Sequence, residues 1–175
     1  SVVAKIAKEK GAKGLGTIEL EVGRPVKVML AQKVADINEG FERVETPAAI
    51  EYKYDGFRIQ VHRNKEKITL YTRRLENVTK QFPDVVSAIL ENTHNSAFIL
   101  DTEAVGYNPK TKKYRPFQDV SQRIKRKYDI DKMAEQFPVE LNVFDILYYS
   151  GKTTIKTPFA ERRKIIEFNN FSSFC

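Results

Sequence analysis

The sequence has very little of what marks secreted or membrane-bound proteins. Its 175 residues contain one cysteine, Cys175 at the last position, so no disulfide can form within the chain. No apolar run is long enough to cross a bilayer, and no cationic leader precedes an apolar block. Hydrophobic residues still make up 41% of the chain, which is enough for a core. We therefore expect a globular, cytoplasmic protein with no membrane partner.

Charge is the most uneven feature of the composition. Lysine and arginine number 30 against 23 aspartate and glutamate, a formal net charge of +7. The excess is concentrated at 73–74, 110–115, 123–127 and 162–164. Clustered basic residues favour a polyanionic partner such as nucleic acid. The alternative is a solvated surface of the kind found in thermophile proteins, and charge alone leaves both readings open.

The order of predicted elements indicates the fold class. We interpret residues 1–16, a weak helical pattern followed by the linker GAKGLG, as separate from a domain over 17–175. The linker lacks the Gly-Lys-Ser/Thr ending of a phosphate-binding loop. Hairpins dominate and no βαβ repeat is visible, so we predict an α+β fold with antiparallel sheets flanked by helices. Strands are predicted over 17–22, 24–31, 50–54, 57–62, 68–72, 97–107 and 139–149, and helices over 35–44, 84–91 (with Asp84 as N-cap), 117–127, 130–136 and 157–167.

The stretch EYKYDGFR, residues 51–58, places Lys53 between two carboxylates. Alternation over 50–54 predicts a strand with its apolar residues on one face, and the apolar phase flips at Gly56, which predicts a kink. An ammonium group is not a nucleophile, so a lysine reacts only where its surroundings remove the proton. Lys53 is therefore either an ordinary exposed lysine or a reactive one. His62 and His94 have no partner at a useful spacing, and we interpret both as ordinary strand or loop residues.

Further segments carry a resemblance. Residues 53–58 have the pattern K-x-D-G-x-R, and YTRRLEN (71–77), FILDTEAV (98–105) and LNVFDILY (141–148) follow it in order. Together they resemble the motifs of covalent nucleotidyltransferases, which comprise ATP-dependent DNA ligases, RNA ligases and mRNA capping enzymes. The phrases RRLENVT, PFQDV and LNVFDILYY are most similar to archaeal DNA ligases. The resemblance extends over about 24–166 and implies an incomplete adenylation domain with a nucleotidyltransferase (ATP-grasp-like) fold.

The resemblance also implies roles around the nucleotide. Lys53 would attack the α-phosphate of ATP and carry AMP. Phe144 would stack on adenine, although a phenylalanine in so apolar a strand is as readily core. Glu51 would recognise the adenine amino group, which favours ATP over GTP. Glu103 would contact ribose or help to hold Mg²⁺, its alternative being an ion pair with a nearby arginine.

A second set of residues is expected to meet phosphates. By the resemblance, Arg58 and Arg73 would support the ribose or the phosphates of the nucleotide, and Arg73, with Arg74 as a one-residue alternative, would also face the DNA 5′-phosphate. Arg123 and Lys125, on a predicted basic helix, would contact the backbone of nicked duplex DNA without sequence preference. The alternatives are a surface arginine at position 58 and a solvated helix face.

The family pattern predicts two motifs that are not found after residue 166: a Glu-Gly strand and a Lys-x-Lys pair. We therefore expect a shortened or frame-disrupted ligase, or a piece of a longer one, that adenylates itself poorly or not at all and can dimerise through open strand edges. The full protein would seal DNA nicks in replication, repair and recombination. A DNA-binding domain would precede residue 16, and a sliding clamp would bind through that region. The alternatives are an RNA ligase, a capping-type enzyme or an inactive nucleic-acid-binding remnant.

Overall fold

A single curved antiparallel sheet organises the chain. The computed structural model describes residues 2–15 and 19–174. Within them, seven strands pair in the order β2-β1-β3-β5-β6, with β4 beside β3 and β7 beside β5. This confirms the predicted α+β class. The strands are β1 (Phe57–Asn64), β2 (Lys67–Thr72), β3 (Phe98–Asn108), β4 (Lys113–Arg115), β5 (Val139–Tyr149), β6 (Lys152–Thr153) and β7 (Ser173–Phe174).

Helices cover one face of this sheet and leave much of the other for polar side chains. Alternation along β1 places Ile59 and Val61 in the core, where they join Ile89 and Ile166 from two of the helices. None of the helices among the described residues has the length and apolar character needed to span a bilayer. The helices are α1 (Val2–Leu15), α2 (Ile37–Val44), α3 (Pro83–Asn92), α4 (Phe117–Lys125), α5 (Ile130–Gln136) and α6 (Phe159–Phe168), with a short 3₁₀ turn at Thr79–Gln81.

The strand predicted over 50–54 is wrong. These residues belong to no strand of the sheet, and Ile50 and Tyr52, on the face expected to be buried, are 78% and 89% exposed. Apolar and polar residues do alternate over 50–54, but this segment pairs with no strand of the sheet. β1 begins at Phe57, immediately after the predicted phase change at Gly56. Lys53 therefore lies on an entry segment without regular secondary structure, just before β1, rather than within a strand.

The strand predicted over 24–31 is also absent, because this segment pairs with side chains instead of a backbone ladder. The Val26 N–H donates to Gln60 Oε1 at 2.9 Å, and Gln60 Nε2 donates to the Val26 carbonyl at 2.7 Å. Next to it, the Gly23 N–H donates to His62 Nδ1 at 3.0 Å, and the Tyr71 hydroxyl donates to the Gly23 carbonyl at 2.6 Å. Residues 23–26 thus pack over the polar face of β1 and hydrogen-bond its side chains.

Three smaller predictions differ from the structure. The predicted strand over 17–22 lies partly outside the described residues, and residues 19–22 form no strand. Asp84 is not the N-cap of α3: Phe82 is, and Asp84 lies in the first turn. The weak helical pattern expected before the linker GAKGLG continues into that linker as far as Leu15, with an interruption at Gly11, whose φ of 61° is not helical.

Candidate functional site

Two clefts meet at Lys53. The first, the aromatic cleft, has a volume of about 760 Å³ and is lined by Glu51, Lys53, Glu103, Asn142, Phe144 and Arg163, among others. The second, the basic cleft, has a volume of about 1290 Å³ and is lined by Lys53, Arg58, Arg73, Arg74, Glu103, Lys125 and Lys127, among others. Lys53 and Glu103 line both clefts, so the lysine amine can meet a group that enters from either side.

Gly56 brings the entry segment close to β3. A Cβ atom at this position would lie 2.2 Å from the Ala104 carbonyl oxygen, so only glycine allows the two backbones to approach this closely. The Gly56 backbone also lies near the Glu103 carboxylate, where it opposes the rise in the Glu103 pKa. One residue earlier, Asp55 Oδ2 accepts a long hydrogen bond, 3.4 Å, from the Phe117 N–H at the start of α4. The aspartate and glycine of the K-x-D-G-x-R pattern therefore hold Lys53 against the sheet and α4.

Glu103 faces Lys53 from the middle of β3 and is half-buried. Burial raises the pKa of Glu103, and the positive charges of Lys53 and Arg58 oppose that rise. Of the ion pairs formed by the described residues, none includes Glu103. Its oxygens therefore keep capacity for a ligand hydroxyl or a cation.

Arg58 forms an ion pair with Asp101 on the neighbouring strand. Its Nε donates to Asp101 Oδ1 at 2.7 Å, and a terminal nitrogen pairs with the second carboxylate oxygen. The Asp101 side chain is almost fully buried, and burial raises the Asp101 pKa despite the arginine beside it. Arg58 Cζ also lies 5.2 Å from the ring centroid of Phe144. Arg58 therefore does not form the ion pair that was the alternative for Glu103, and it is not a simple surface residue.

A β-bulge sets the position of Phe144. Asp101 pairs with Asp145, whereas Thr102 pairs with Val143, so Phe144 is an extra residue on β5. The bulge lets Val143 remain in the core while the half-buried Phe144 lines the aromatic cleft. Plain core packing, the alternative for Phe144, does not describe this position.

Arg163 of α6 completes the lining of the aromatic cleft, and the sequence did not predict it. Arg162 donates to both oxygens of Asp145, at 2.7 and 3.1 Å. Arg163 donates to the Val143 carbonyl at 3.3 Å and lies 3.9 Å from Glu51 Oε1. The basic cluster at 162–164 was visible in the sequence, but no signal there connects it to Glu51.

The basic cleft gathers the predicted phosphate contacts from separate elements. Arg73 and Arg74 follow the last residue of β2, and both side chains are exposed. Lys125 and Lys127 face them from the end of α4 and the residues after it. The four cations surround an opening that leads to Lys53.

The prediction that Arg123 contacts DNA is wrong, because its side chain is buried. It is 1% exposed and donates to Asp84 Oδ2 and to the Phe137 carbonyl, each at 2.9 Å. Its guanidinium carbon lies 4.3 Å from the Phe82 ring centroid. Arg123 falls three residues after the buried Val120, so both lie on the inward side of α4.

Comparisons with known proteins agree with this architecture. The fold is that of a nucleotidyltransferase adenylation domain. A mycobacterial DNA ligase D complexed with ATP and MES has a TM-score of 0.53 at 27% identity, over 70% of this chain and 36% of that one. The ligase domain of M. tuberculosis LigD gives the same TM-score and identity, over 70% of this chain and 37% of that one.

The family follows from the sequence match. The ATP dependent DNA ligase domain family matches residues 28–172, and the chain belongs to it. The DNA ligase of Nanoarchaeum equitans is 52% identical over 165 residues, 94% of this chain and 29% of that protein. The DNA ligase of Methanopyrus kandleri is 47% identical over 166 residues, 95% of this chain and 30% of that protein. The chain thus spans less than a third of these relatives, and the match does not favour an RNA ligase or a capping enzyme.

Proposed function

We propose that this chain contains the nucleotide-binding and lysine-adenylation site of an ATP-dependent DNA ligase. The observation that carries the proposal is the position of Lys53 where the aromatic and basic clefts meet. One cleft offers an aromatic ring and carboxylates suited to a nucleoside, and the other offers cations suited to phosphates. A lysine that receives a nucleotide from one side and passes it to DNA on the other needs access to both.

The first step joins AMP to the lysine. The Lys53 ammonium loses a proton, and the resulting amine attacks the α-phosphorus of ATP. A P–N bond forms, the nitrogen releases a second proton, and the bond to the pyrophosphate oxygen breaks. Pyrophosphate leaves with the electron pair. A 5′-phosphate oxygen of nicked DNA then attacks the same phosphorus, and Lys53 leaves as an amine that regains a proton. Finally the 3′-hydroxyl attacks the 5′-phosphate and AMP departs, which seals the nick.

The chain's residues have distinct proposed roles toward the nucleotide. Phe144 stacks on adenine, and Glu51 accepts a hydrogen bond from the adenine amino group, which favours ATP over GTP. Glu103 accepts hydrogen bonds from the ribose. Arg58 holds Asp101 and supports the ring of Phe144, and its exposed edge contributes positive charge to the phosphate side. Such preorganised charge is the main means of stabilising an anionic phosphoryl-transfer transition state.

The site can hold Mg²⁺ through a single carboxylate together with the phosphates of ATP, rather than through a set of protein ligands. The described residues contain no cluster of three or more histidine, cysteine or acidic side chains suited to a metal. Asp101 and Asp145 are paired with arginines, which leaves Glu103 as the acidic ligand beside Lys53. Mg²⁺ commonly keeps several waters and phosphate oxygens with one or two carboxylates, so Glu103 would hold it together with ATP. The ion would then supply charge neutralisation at the phosphates.

On the DNA side, we assign Arg73, Arg74 and Lys125 to phosphates flanking the nick. Contacts of this type supply affinity and salt dependence without sequence preference, which suits an enzyme that seals nicks in any sequence. Because Arg123 is buried, it takes no part in this surface.

The proposal extends to the whole protein and its setting. Residues 1–16 are assigned to the end of a preceding DNA-binding domain, and residues 17–175 to part of the adenylation domain. The complete ligase would act in the cytoplasm in replication, repair and recombination, and would bind a sliding clamp through the region before the adenylation domain. The isolated chain would dimerise through an open strand edge.

Covalent labelling tests the adenylation site. The folded chain is incubated with ATP labelled at the α-phosphate and Mg²⁺, and acid-labile label on the protein is followed over time. We expect slow labelling of the wild type and none in Lys53→Ala or Lys53→Arg, whereas Lys67→Arg, on the exposed β1–β2 hairpin, labels like the wild type. Equal labelling of Lys53→Ala would refute the assignment. A chain that binds ATP and DNA but never labels would instead be a non-catalytic binding module.

A further inference from the structure

Asn142 is a polar residue of the aromatic cleft that the proposed mechanism leaves without a role. It lies on β5 directly across from Glu103 on β3 and lines the cleft with Phe144. The residue is 6% exposed, and its Nδ2 is buried without a hydrogen-bond partner. Its chain neighbours Leu141 and Val143 are both buried and apolar. An unpaired amide at such a place is costly to the folded chain, so its presence calls for a reason.

The nearest protein partner does not satisfy this amide. Tyr114 lies close enough for Asn142 to lower its pKa, although burial and Glu140 raise that pKa to about 12. No hydrogen bond of normal geometry joins the two side chains, and the Tyr114 hydroxyl instead donates to Glu140 Oε1 at 2.8 Å. The amide nitrogen therefore keeps its capacity to donate.

The surroundings of Asn142 define the chemistry of its missing partner. Across β1, β3, β5 and β7 the register aligns Arg58, Glu103, Asn142 and Ser173 in one row. Glu103, when ionised, only accepts hydrogen bonds, so the neighbouring amide contributes a neutral donor to this part of the cleft.

We propose that Asn142 donates a hydrogen bond to a ring nitrogen of the purine bound against Phe144, and so helps to select the nucleotide. This inference rests on the proposed nucleotide site. Asn142 and Phe144 are two residues apart on one strand, about 7 Å, so a base stacked on the ring extends its edge toward the amide. The unprotonated ring nitrogens of a purine are acceptors, which an amide N–H complements.

Nucleotide affinity tests the inference without requiring catalysis. Dissociation constants are measured by calorimetry without Mg²⁺ for ATP and its 1-deaza, 3-deaza and 7-deaza analogues, each of which replaces one ring nitrogen by C–H. We expect wild type to bind one analogue about 5- to 10-fold more weakly than ATP. Asn142→Leu should bind ATP more weakly by a similar factor and no longer distinguish that analogue. Tyr114→Phe should bind all four as the wild type does.

A spectroscopic measurement on the wild type guards against misfolding of the variant. The side-chain amide resonance of Asn142 should shift on addition of ATP and not on addition of the discriminated analogue. An Asn142→Leu chain that binds ATP as tightly as wild type, or an amide resonance that ATP leaves unmoved, would overturn the inference while the proposed function stands. If the wild type binds none of these nucleotides, the proposed site fails and the role of Asn142 fails with it.

Discussion

Removing Arg58 should reveal how strongly the Asp101 carboxylate depends on it. The Asp101 side chain is 3% exposed and the Arg58 side chain 26%. Asp101 is also paired in register with Asp145, whose negative charge raises the Asp101 pKa further. Arg58→Met therefore leaves a buried carboxylate without its partner. Breaking a buried pair from one side typically costs about 3–5 kcal/mol, and the partial exposure of Arg58 places our expectation at the lower end, about 3 kcal/mol.

Replacing both partners should cost much less. Asp101→Asn removes the charge and keeps the shape, so the double variant with Arg58→Met has no buried ion to solvate. We expect it to recover most of the lost free energy of unfolding, which gives a coupling energy of about 2 kcal/mol. Urea unfolding at pH 7 of the wild type, both single variants and the double variant completes the cycle.

The pH dependence of the single variant supplies a check on the cause. Burial raises the Asp101 pKa above its usual value, and loss of Arg58 should raise it more. A folded state that holds a proton more tightly than the unfolded chain gains stability as pH falls. The defect of Arg58→Met should therefore shrink between pH 7 and pH 5.

The exposed pair Arg43–Glu39 on α2, with contacts of 2.7 and 3.1 Å, provides a matched control. Arg43→Met should change stability within the error of the measurement, because solvent screens exposed pairs. If Arg58→Met behaves like Arg43→Met, or if the double variant is no more stable than the singles, Asp101 does not rely on Arg58 and our reasoning about the pair is wrong.

Three further predictions concern other parts of the chain. Burial lowers the pKa of His62 from 6.5 to about 4, so the unfolded chain alone gains a proton as pH falls through this range. About 3 kcal/mol of stability should be lost between pH 7 and pH 4, and His62→Asn, but not His94→Asn, should reduce that slope in unfolding titrations. Gly56→Ala should lower the free energy of unfolding in urea by about 1–3 kcal/mol and weaken ATP binding, because the new Cβ would lie 2.2 Å from a backbone oxygen of β3. Lys125→Ala should weaken binding to a nicked duplex and lower its salt dependence with stability unchanged, whereas Arg123→Leu should lower the melting temperature.

Much of the fold was predictable because strong local patterns coincide with real elements. The alternation over 97–107 and 139–149 predicts β3 and β5, and the β1–β2 hairpin follows from its turn. The failures share one cause. Both wrongly predicted segments, 24–31 and 50–54, carry strand patterns but pair with no strand of the sheet, and a strand requires a partner with which to exchange backbone hydrogen bonds.

The candidate site was foreseen in its residue types more than in their partnerships. Lys53, Glu103 and Phe144 were all singled out from motifs, and all three line one cleft. Their roles in catalysis stay predictions. Arg58 stands directly opposite Glu103 across β1 and β3, yet it pairs diagonally with Asp101, two residues further along β3. The bulge that places Phe144 in the cleft depends on how β5 pairs with β3. No pattern within a single strand contains this information.

The sequence by itself determined the family of this protein, its antiparallel α+β class and the lysine on which its proposed chemistry depends. These follow from local spacing, which a short motif or a period-two alternation records directly. Only the tertiary structure decided that Arg123 is buried while Lys125 is exposed, and that Asn142 lies beside Glu103 in the aromatic cleft. Exposure and cross-strand neighbours depend on how distant segments pack, and packing is a property of the whole fold.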